Sequence, residues 1–384
     1  MKILGIIIEA SPFHNGHQYF IEEAKRNINP DILIAITSTS FTMRGDLSVV
    51  DKFSKTEILL ENGIDIVLEL PFFETMQSAD FFANSTISIL NKFNITDLAF
   101  GCETIDREFF EKVSTALEKI DNPKPSNFSL KKHITNQLIH MGFTDKEIAL
   151  FNRPNFTLAI QYVQCIKKNN LNIQYHMIER IGNNFEDLEI HSIYPSASSL
   201  RYLLEKNQSI DHFVPTSLTY LQNYPKALHN LFMITQAQYL LNPSENNLYF
   251  GSDEGINNYI LKKGDFKKDY STLLNSLKNK KYTLSRIKRT ILHTILKTNK
   301  QTMHQYNYLR ILGINSNGLT YLHTLQKEVK NYIFSNPNEA KQVDASLQYM
   351  LDLELKASKL YSIITEQPNI YLKEFTLPIR KDIL

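Results

Sequence analysis

Ile3-Leu4-Gly5-Ile6-Ile7-Ile8-Glu9-Ala10-Ser11-Pro12-Phe13-His14-Asn15-Gly16-His17 opens the chain with six apolar residues and then a turn that carries two imidazoles. A run this short and this rich in β-branched residues predicts a strand buried on both faces. It falls far short of the ~20 apolar residues of a membrane span. It also lacks the basic start and small-residue cleavage site of a signal peptide. Working outward, the same kind of run recurs at Ile32-Leu33-Ile34-Ala35-Ile36, at Ile66-Val67-Leu68-Glu69-Leu70 before Pro71, and at Leu98-Ala99-Phe100 before Gly101. A fifth strand is predicted at Ile173–Ile178. Between the runs lie segments with helical spacing, such as Phe53, Ile58 and Leu59, with Gly63 as a C-terminal stop. Strand and helix in alternation predict a doubly wound α/β unit, with a parallel sheet and right-handed crossovers, over residues 1–206.

The second part, 207–384, changes character. From Thr216 onward, Leu, Lys, Asn and Tyr recur at helical spacing, which predicts a mainly α-helical domain. A length of 384 residues suits two domains, and 42% hydrophobic residues are enough for a sizeable core. These figures exclude a disordered tail protein and a disulfide-stapled miniature. Cys102 and Cys165 are too few for a disulfide framework, so a reducing, cytoplasmic setting is expected. Lys plus Arg number 42 and Asp plus Glu 40, a net charge of only +2. That neutrality hides an asymmetry: Lys262–Lys300 holds 12 basic residues against Asp265 and Asp269 alone. Tyr270 and Tyr282 are interleaved with them. Read as one helix, the segment puts Lys281, Ser285, Lys288 and Arg289 on one face. Such a stripe suits RNA phosphates, although a solvated helix face has the same pattern.

In an open parallel sheet, ligands bind beyond the carboxyl ends of the strands, beside the first crossover helix. His14-Asn15-Gly16-His17 falls at that place. Gly16 allows close backbone approach, free N–H groups at a helix start favour an anion, and two imidazoles can donate to phosphate oxygens. The plainer reading is that His14 and His17 cap a helix or hold a metal. A zinc site would want a third ligand, and the next histidine is His133. Neither a GxxxxGK[ST] loop nor a GxGxxG fingerprint is present.

A strand, then HxGH, then Ser196-Ala197-Ser198-Ser199-Leu200-Arg201 resembles the HxGH nucleotidyltransferase superfamily. More narrowly, the chain resembles the bacterial tRNA(Met) cytidine acetate ligase family. The resemblance runs through Arg44-Gly45-Asp46, Leu68-Glu69-Leu70-Pro71, Phe100-Gly101 with Glu103, Pro154-Asn155, Lys281-Tyr282-Thr283 with Arg286 and Arg289, Leu309-Arg310-Ile311-Leu312-Gly313 and Lys356-Ala357-Ser358. It implies a Rossmann-like HUP nucleotidyltransferase domain that binds ATP, followed by a helical domain that binds tRNA. The implied activity uses ATP, accompanied by Mg²⁺, and acetate to form N4-acetylcytidine at the wobble position of elongator tRNA(Met), through acetyl-adenylate.

By the same resemblance, ATP is expected along Ile7-Ile8-Glu9-Ala10-Ser11-Pro12-Phe13-His14-Asn15-Gly16-His17-Gln18-Tyr19-Phe20 and at Gly101, Asn155, Arg180, Ser198 and Arg201. His14 and His17 are the expected catalytic pair, no protein-held metal is expected, and Lys281, Arg286, Lys288 and Arg289 are expected on tRNA. Each has a plainer alternative: Gly101 a strand-end turn, Asn155 a helix cap, Arg180 a surface ion pair, Ser198 and Arg201 an ordinary helix start. Two other functions stay open on the residues alone, a small-molecule adenylyltransferase and a non-catalytic RNA-binding relative. The sequence leaves the oligomeric state open.

Overall fold

A computed structural model describes residues 1–120, 130–182, 190, 192–304, 306–342 and 345–381. The predicted runs are strands: β1 (Ile3–Ile7), β2 (Ile32–Ser38), β3 (Ile66–Leu70), β4 (Asp97–Cys102) and β5 (Gln174–Glu179). They pair in parallel in the order β5-β4-β1-β2-β3. Alternate residues feed two cores. Leu4, Ile6, Leu33 and Val67 pack on one face, and Ile3, Ile32, Ile34, Ile66 and Leu68 on the other. Both faces are dry, which is why these strands read as unbroken apolar runs. The chain leaves β1, builds β2 and β3 on one side, then returns to place β4 on the other. The carboxyl ends of β1 and β4 therefore flank a topological switch point.

Two helices frame that point. Helix α1 (Asn15–Ile28) follows β1 and buries Ile21, Ala24 and Ile28. Helix α2 (Lys52–Glu61) is capped by Asp51, whose carboxylate accepts from the Phe53 and Ser54 N–H groups. It ends at Gly63, whose φ of 82° suits a residue without a Cβ. The helices Ala79–Lys92 and Pro154–Lys168 cover the opposite face.

Beyond residue 206 the chain is mainly helical, as expected, but it also returns to the sheet. Strand β6 (Leu309–Ile314) runs antiparallel to β3, pairing Ile66 with Ile314 and Val67 with Gly313, and short strands β7 (Ile333–Phe334) and β8 (Ile379–Arg380) pair with β6. Among the described residues the sheet is thus eight-stranded and mixed rather than wholly parallel. Sequence periodicity missed β6 because Arg310 interrupts its apolar run, yet Arg310 is only 2% exposed.

A buried ionic cluster accounts for that arginine. Lys52 of α2 meets Glu69 at 2.7 Å, Glu354 at 3.1 Å and Glu374 at 2.7 Å. Arg310 meets Glu69 at 3.2 Å and Glu374 at 2.6 Å. The Tyr308 hydroxyl donates to Glu69, and Glu354 accepts from the Phe72 N–H. Three carboxylates share two cations, and burial with the neighbouring carboxylates pushes Glu354 up to about 7. The cluster joins α2 and β3 to elements more than 230 positions later in the chain. Among the described residues no helix is long and apolar enough to cross a membrane.

Candidate active site

The geometry of the His14–His17 turn begins with local hydrogen bonding. His14 is the N-cap of α1 and its Nδ1 accepts from the Gly16 N–H at 3.0 Å. His17 Nδ1 accepts from the His14 N–H at 3.3 Å. The two rings lie 4.0 Å apart, centre to centre. The capping reading of these histidines is therefore right for their Nδ1 atoms, and it leaves both Nε2 atoms uncommitted to the cap. Because each Nδ1 spends its lone pair on a backbone N–H, the neutral ring carries its proton on Nε2. Burial, together with the neighbouring cations, lowers the His14 pKa well below its usual value and pushes that of His17 down to about 3. The site thus presents two neutral Nε2–H donors. Gly16 is required where it stands, since a Cβ there would sit 2.8 Å from His14 Cε1.

The sign of a pH effect follows. A folded pKa below the unfolded one means that the unfolded chain takes up the proton first as pH falls. The contribution of His17 to stability is therefore complete above pH 6.5 and is lost progressively towards pH 3. In a His17→Asn protein that loss is absent. The unfolding free energy of wild type relative to the variant should fall on acidification from pH 7 to 4, by up to roughly 1.4 kcal/mol per pH unit. Paired urea titrations check it, and a pH-independent difference would contradict the neutral-imidazole assignment.

Above the switch point lies a cavity of about 190 Å³. It collects Ile7, Ile8, Glu9, Ala10, Ser11, His14, Gly16, His17, Tyr19 and Phe20 from the first segment, and Gly101, Asn155, Arg180 and Arg201 from later ones. Of the expected residues, Pro12, Phe13, Asn15, Gln18 and Ser198 are outside its lining. Phe13 is fully buried. Asn15 donates to the Ile193 carbonyl, and Gln18 donates to Glu22. The Ser198 hydroxyl accepts from Arg201, which also donates to the Ser11 carbonyl at 2.7 Å. Both residues brace the turn, Arg201 from the cavity wall and Ser198 from behind it, while Ser196 caps their helix, Ala197–Glu205.

Arg180 follows β5, and its Cγ would be 3.3 Å from a Cβ at Gly101, so a side chain there would crowd it. Among the described residues Arg180 makes no ion pair; Glu103 acts on it only from a distance, and burial lowers its pKa. Glu103 is occupied elsewhere: it accepts from the Asn155 and Phe156 N–H groups and from the Asn155 amide at 2.8 Å. Asn155 is therefore held in the first turn of Pro154–Lys168 by Glu103 rather than serving as its N-cap, and it still reaches the cavity.

Sequence reasoning passed over Thr42, Arg44, Phe82, Leu158 and Tyr162, which also line the cavity. Asn155, Leu158 and Tyr162 lie three and four residues apart on one helix face, a spacing that could have found the last two once Asn155 was fixed. Arg44 stood in the resemblance without a role. Its loop is clamped through Asp46, which binds Lys288 at 2.5 Å and Arg201 at 3.3 Å. Burial alone would raise Asp46, but these cations hold it below its usual value. Gly45, with φ 78°, lies so close to the helix Leu284–Ile295 that a Cβ would be 2.6 Å from Lys288 Cβ.

This bears on the basic segment. Lys281 precedes that helix, Lys288 faces Asp46, and Arg289 donates to the Met43 carbonyl at 3.1 Å. Arg286 pairs with Glu254 at 3.1 Å. The expected single outward stripe is not formed, since Lys288 and Arg289 turn towards the Met43–Asp46 loop. Lys262, Lys263, Lys267, Lys268, Lys278, Lys280 and Lys281 are exposed.

A mainly parallel sheet with paired imidazoles at the first helix start and an arginine across the cavity defines a nucleotidyltransferase of the HxGH class. The model of the HIGH Nucleotidyl Transferase family matches residues 1–374. The tRNA(Met) cytidine acetate ligase of Thermosipho melanesiensis is 31% identical over 430 residues, covering 100% of this chain and 99% of that protein. Its namesake from Bacillus velezensis is 28% identical, with 100% and 98% covered. Thermotoga maritima TmcAL, solved both without ligand and with alpha-thio ATP, superposes with a TM-score of 0.85 at 26% identity, covering 100% of both chains. The chain belongs to the HIGH nucleotidyl transferase family and, within it, to the tRNA(Met) cytidine acetate ligase family.

Proposed function

We propose that this protein is an ATP-dependent ligase that joins acetate to the exocyclic amine of the wobble cytidine in elongator tRNA(Met). The observation that carries the reading is a cavity faced by two neutral imidazole donors and by Arg180, which makes no ion pair among the described residues, in a chain that matches tRNA(Met) cytidine acetate ligases end to end. That donor set suits a polyphosphate.

In the first step an acetate oxygen attacks the α-phosphorus of ATP. The bond to the β-phosphate breaks, and pyrophosphate leaves with the electron pair. His14 and His17 donate through Nε2 to phosphate oxygens as charge builds on them, and Arg180 offsets charge from the β5 side of the cavity. Gly101 and Asn155 border the space for adenosine, with Ser198 and Arg201 bracing the phosphate turn. In the second step the cytidine N4 attacks the acetyl carbonyl and AMP leaves. Mg²⁺ is proposed as the companion of the nucleotide's phosphates, which supply oxygen ligands that it takes in such sites.

We further propose that residues 1–206 carry the ATP chemistry and 207–384 the tRNA contacts. The exposed lysines from Lys262 to Lys281 meet phosphates there, with Arg286 beside them and Lys288 and Arg289 linking that surface to the Met43–Asp46 loop. The reading implies a cytoplasmic protein.

Incubation with labelled acetate, ATP and tRNA tests it. Label should enter tRNA only with ATP, one AMP and one pyrophosphate being released per acetyl group, and nucleoside mass spectrometry should find N4-acetylcytidine. Unlabelled tRNA with brisk turnover of a mononucleotide would point to a small-molecule adenylyltransferase. Binding of tRNA without binding of ATP would point to a non-catalytic relative.

A further inference from the structure

We propose that Glu9 is the acceptor for the target base: its carboxylate receives a hydrogen bond from the cytidine N4 amine and takes the proton that the amine loses during acetyl transfer. The proposal rests on the ligase reading above and deepens it, since Glu9 lies within the stretch expected to hold ATP.

The switch point divides the cavity. Gly101 and Arg180 stand at the ends of β4 and β5, on one side of β1. Glu9 is drawn to the other side, because its Oε1 accepts from the N–H of Met43, in the loop after β2, at 2.7 Å. Ala10, next in the chain, adopts φ 45°, a left-handed conformation uncommon for a residue with a Cβ. The backbone thus turns sharply between Glu9 and the histidine turn. With the phosphates on the helix start and adenosine against Gly101 and Asn155, Glu9 is the carboxylate of the first segment that lines the cavity, and Tyr162, packed 5.9 Å from Phe100 of β4, lies near it. A carboxylate facing a cavity is a natural acceptor for the cytosine N4 amine of a base splayed out of an RNA strand.

Tyr162 lies near enough that the charge on Glu9, added to burial, raises its phenol well above its usual pKa, so the phenol stays protonated as a donor. Glu9 itself is raised by burial. The Met43 N–H, Lys55 of α2, Arg44 and Ser38 oppose that rise only in part. A raised carboxylate is a better proton acceptor than an ordinary one.

The chemistry needs such a group. The N4 lone pair is delocalised into the ring, so the amine becomes an effective nucleophile only as it sheds a proton. The N4–carbon bond forms, the carbon–oxygen bond to AMP breaks with its electron pair leaving on phosphate, and the amine proton passes to Glu9 and then to solvent.

The test separates the two half-reactions. Acetate-dependent ATP–pyrophosphate exchange reports activation, and single-turnover transfer from preformed acetyl-adenylate to tRNA reports acylation. In Glu9→Gln the amide keeps one oxygen for the Met43 N–H but cannot take a proton. Transfer should fall by about 10²–10⁴-fold, and by at least ~30-fold more than exchange falls. Glu9→Asp should retain more transfer than Glu9→Gln, and it carries the same comparison if Glu9→Gln does not fold. Equal losses in both half-reactions would assign Glu9 to the nucleotide and overturn the proposal, as would transfer within about threefold of wild type. If wild type itself transfers no acetyl group to tRNA, the ligase reading fails first and the proposal falls with it.

Discussion

Acetyl transfer by a His17→Asn enzyme should fall by about 10²–10³-fold at saturating ATP, with the fold intact. Asparagine can place Oδ1 where Nδ1 stood and accept from the His14 N–H, so the cap of α1 survives. Nothing then occupies the position of Nε2, and the donor facing the phosphates is lost. His17→Gln makes the complementary change: its amide reaches the outer position and restores a donor there, while the cap bond is given up. Activity should recover in part. A donor that acts mainly in the transition state lowers kcat with a smaller change in ATP affinity, so calorimetric ATP binding should weaken less than turnover. A loss confined to His17→Gln would assign His17 to helix capping alone. Full activity in His17→Asn would remove the ring from the chemistry.

Lys52→Met should destabilise the protein by about 3–5 kcal/mol, the usual effect of removing one member of a buried ionic cluster. The methionine fills the space, but Glu69, Glu354 and Glu374 lose a shared cation, and Arg310 cannot reach all three. Glu354, already raised to about 7, is the carboxylate closest to neutrality. The double variant Lys52→Met with Glu354→Gln should therefore recover part of the loss, because an amide oxygen still accepts from the Phe72 N–H without bringing a charge. A double-mutant cycle measured by urea unfolding gives the coupling. Lys226→Met, which breaks the exposed pair with Glu366, is the control and should leave the unfolding midpoint almost unmoved. A loss as small from Lys52→Met would mean that packing alone joins the later elements to α2 and β3.

The two variants probe features of different visibility in the sequence. The histidine turn was readable because the bonds by which His14 and His17 cap α1 span three residues or fewer, and the strand before it marks where ligands bind in such sheets. Strands β1 to β4 were readable because burial on both faces leaves an apolar run. Strand β6 was not: Arg310 breaks its run, and what makes that arginine tolerable is Glu69, 241 positions earlier. The basic segment misled for the same reason. A helical pattern says which residues share a face but not what the face meets, and the partner of Lys288 is Asp46, 242 positions away.

The succession of β1 to β5 with their helices, the histidine turn and the family were determined by the chain's own local pattern, since hydrophobic period and short-range hydrogen bonds are written in neighbouring residues. The far wall of the cavity, the side of the switch point taken by Glu9 and the burial of Lys52 and Arg310 were settled only on folding. Each depends on desolvation and charge pairing between residues far apart along the chain, and such energies exist only once those residues are brought together in space.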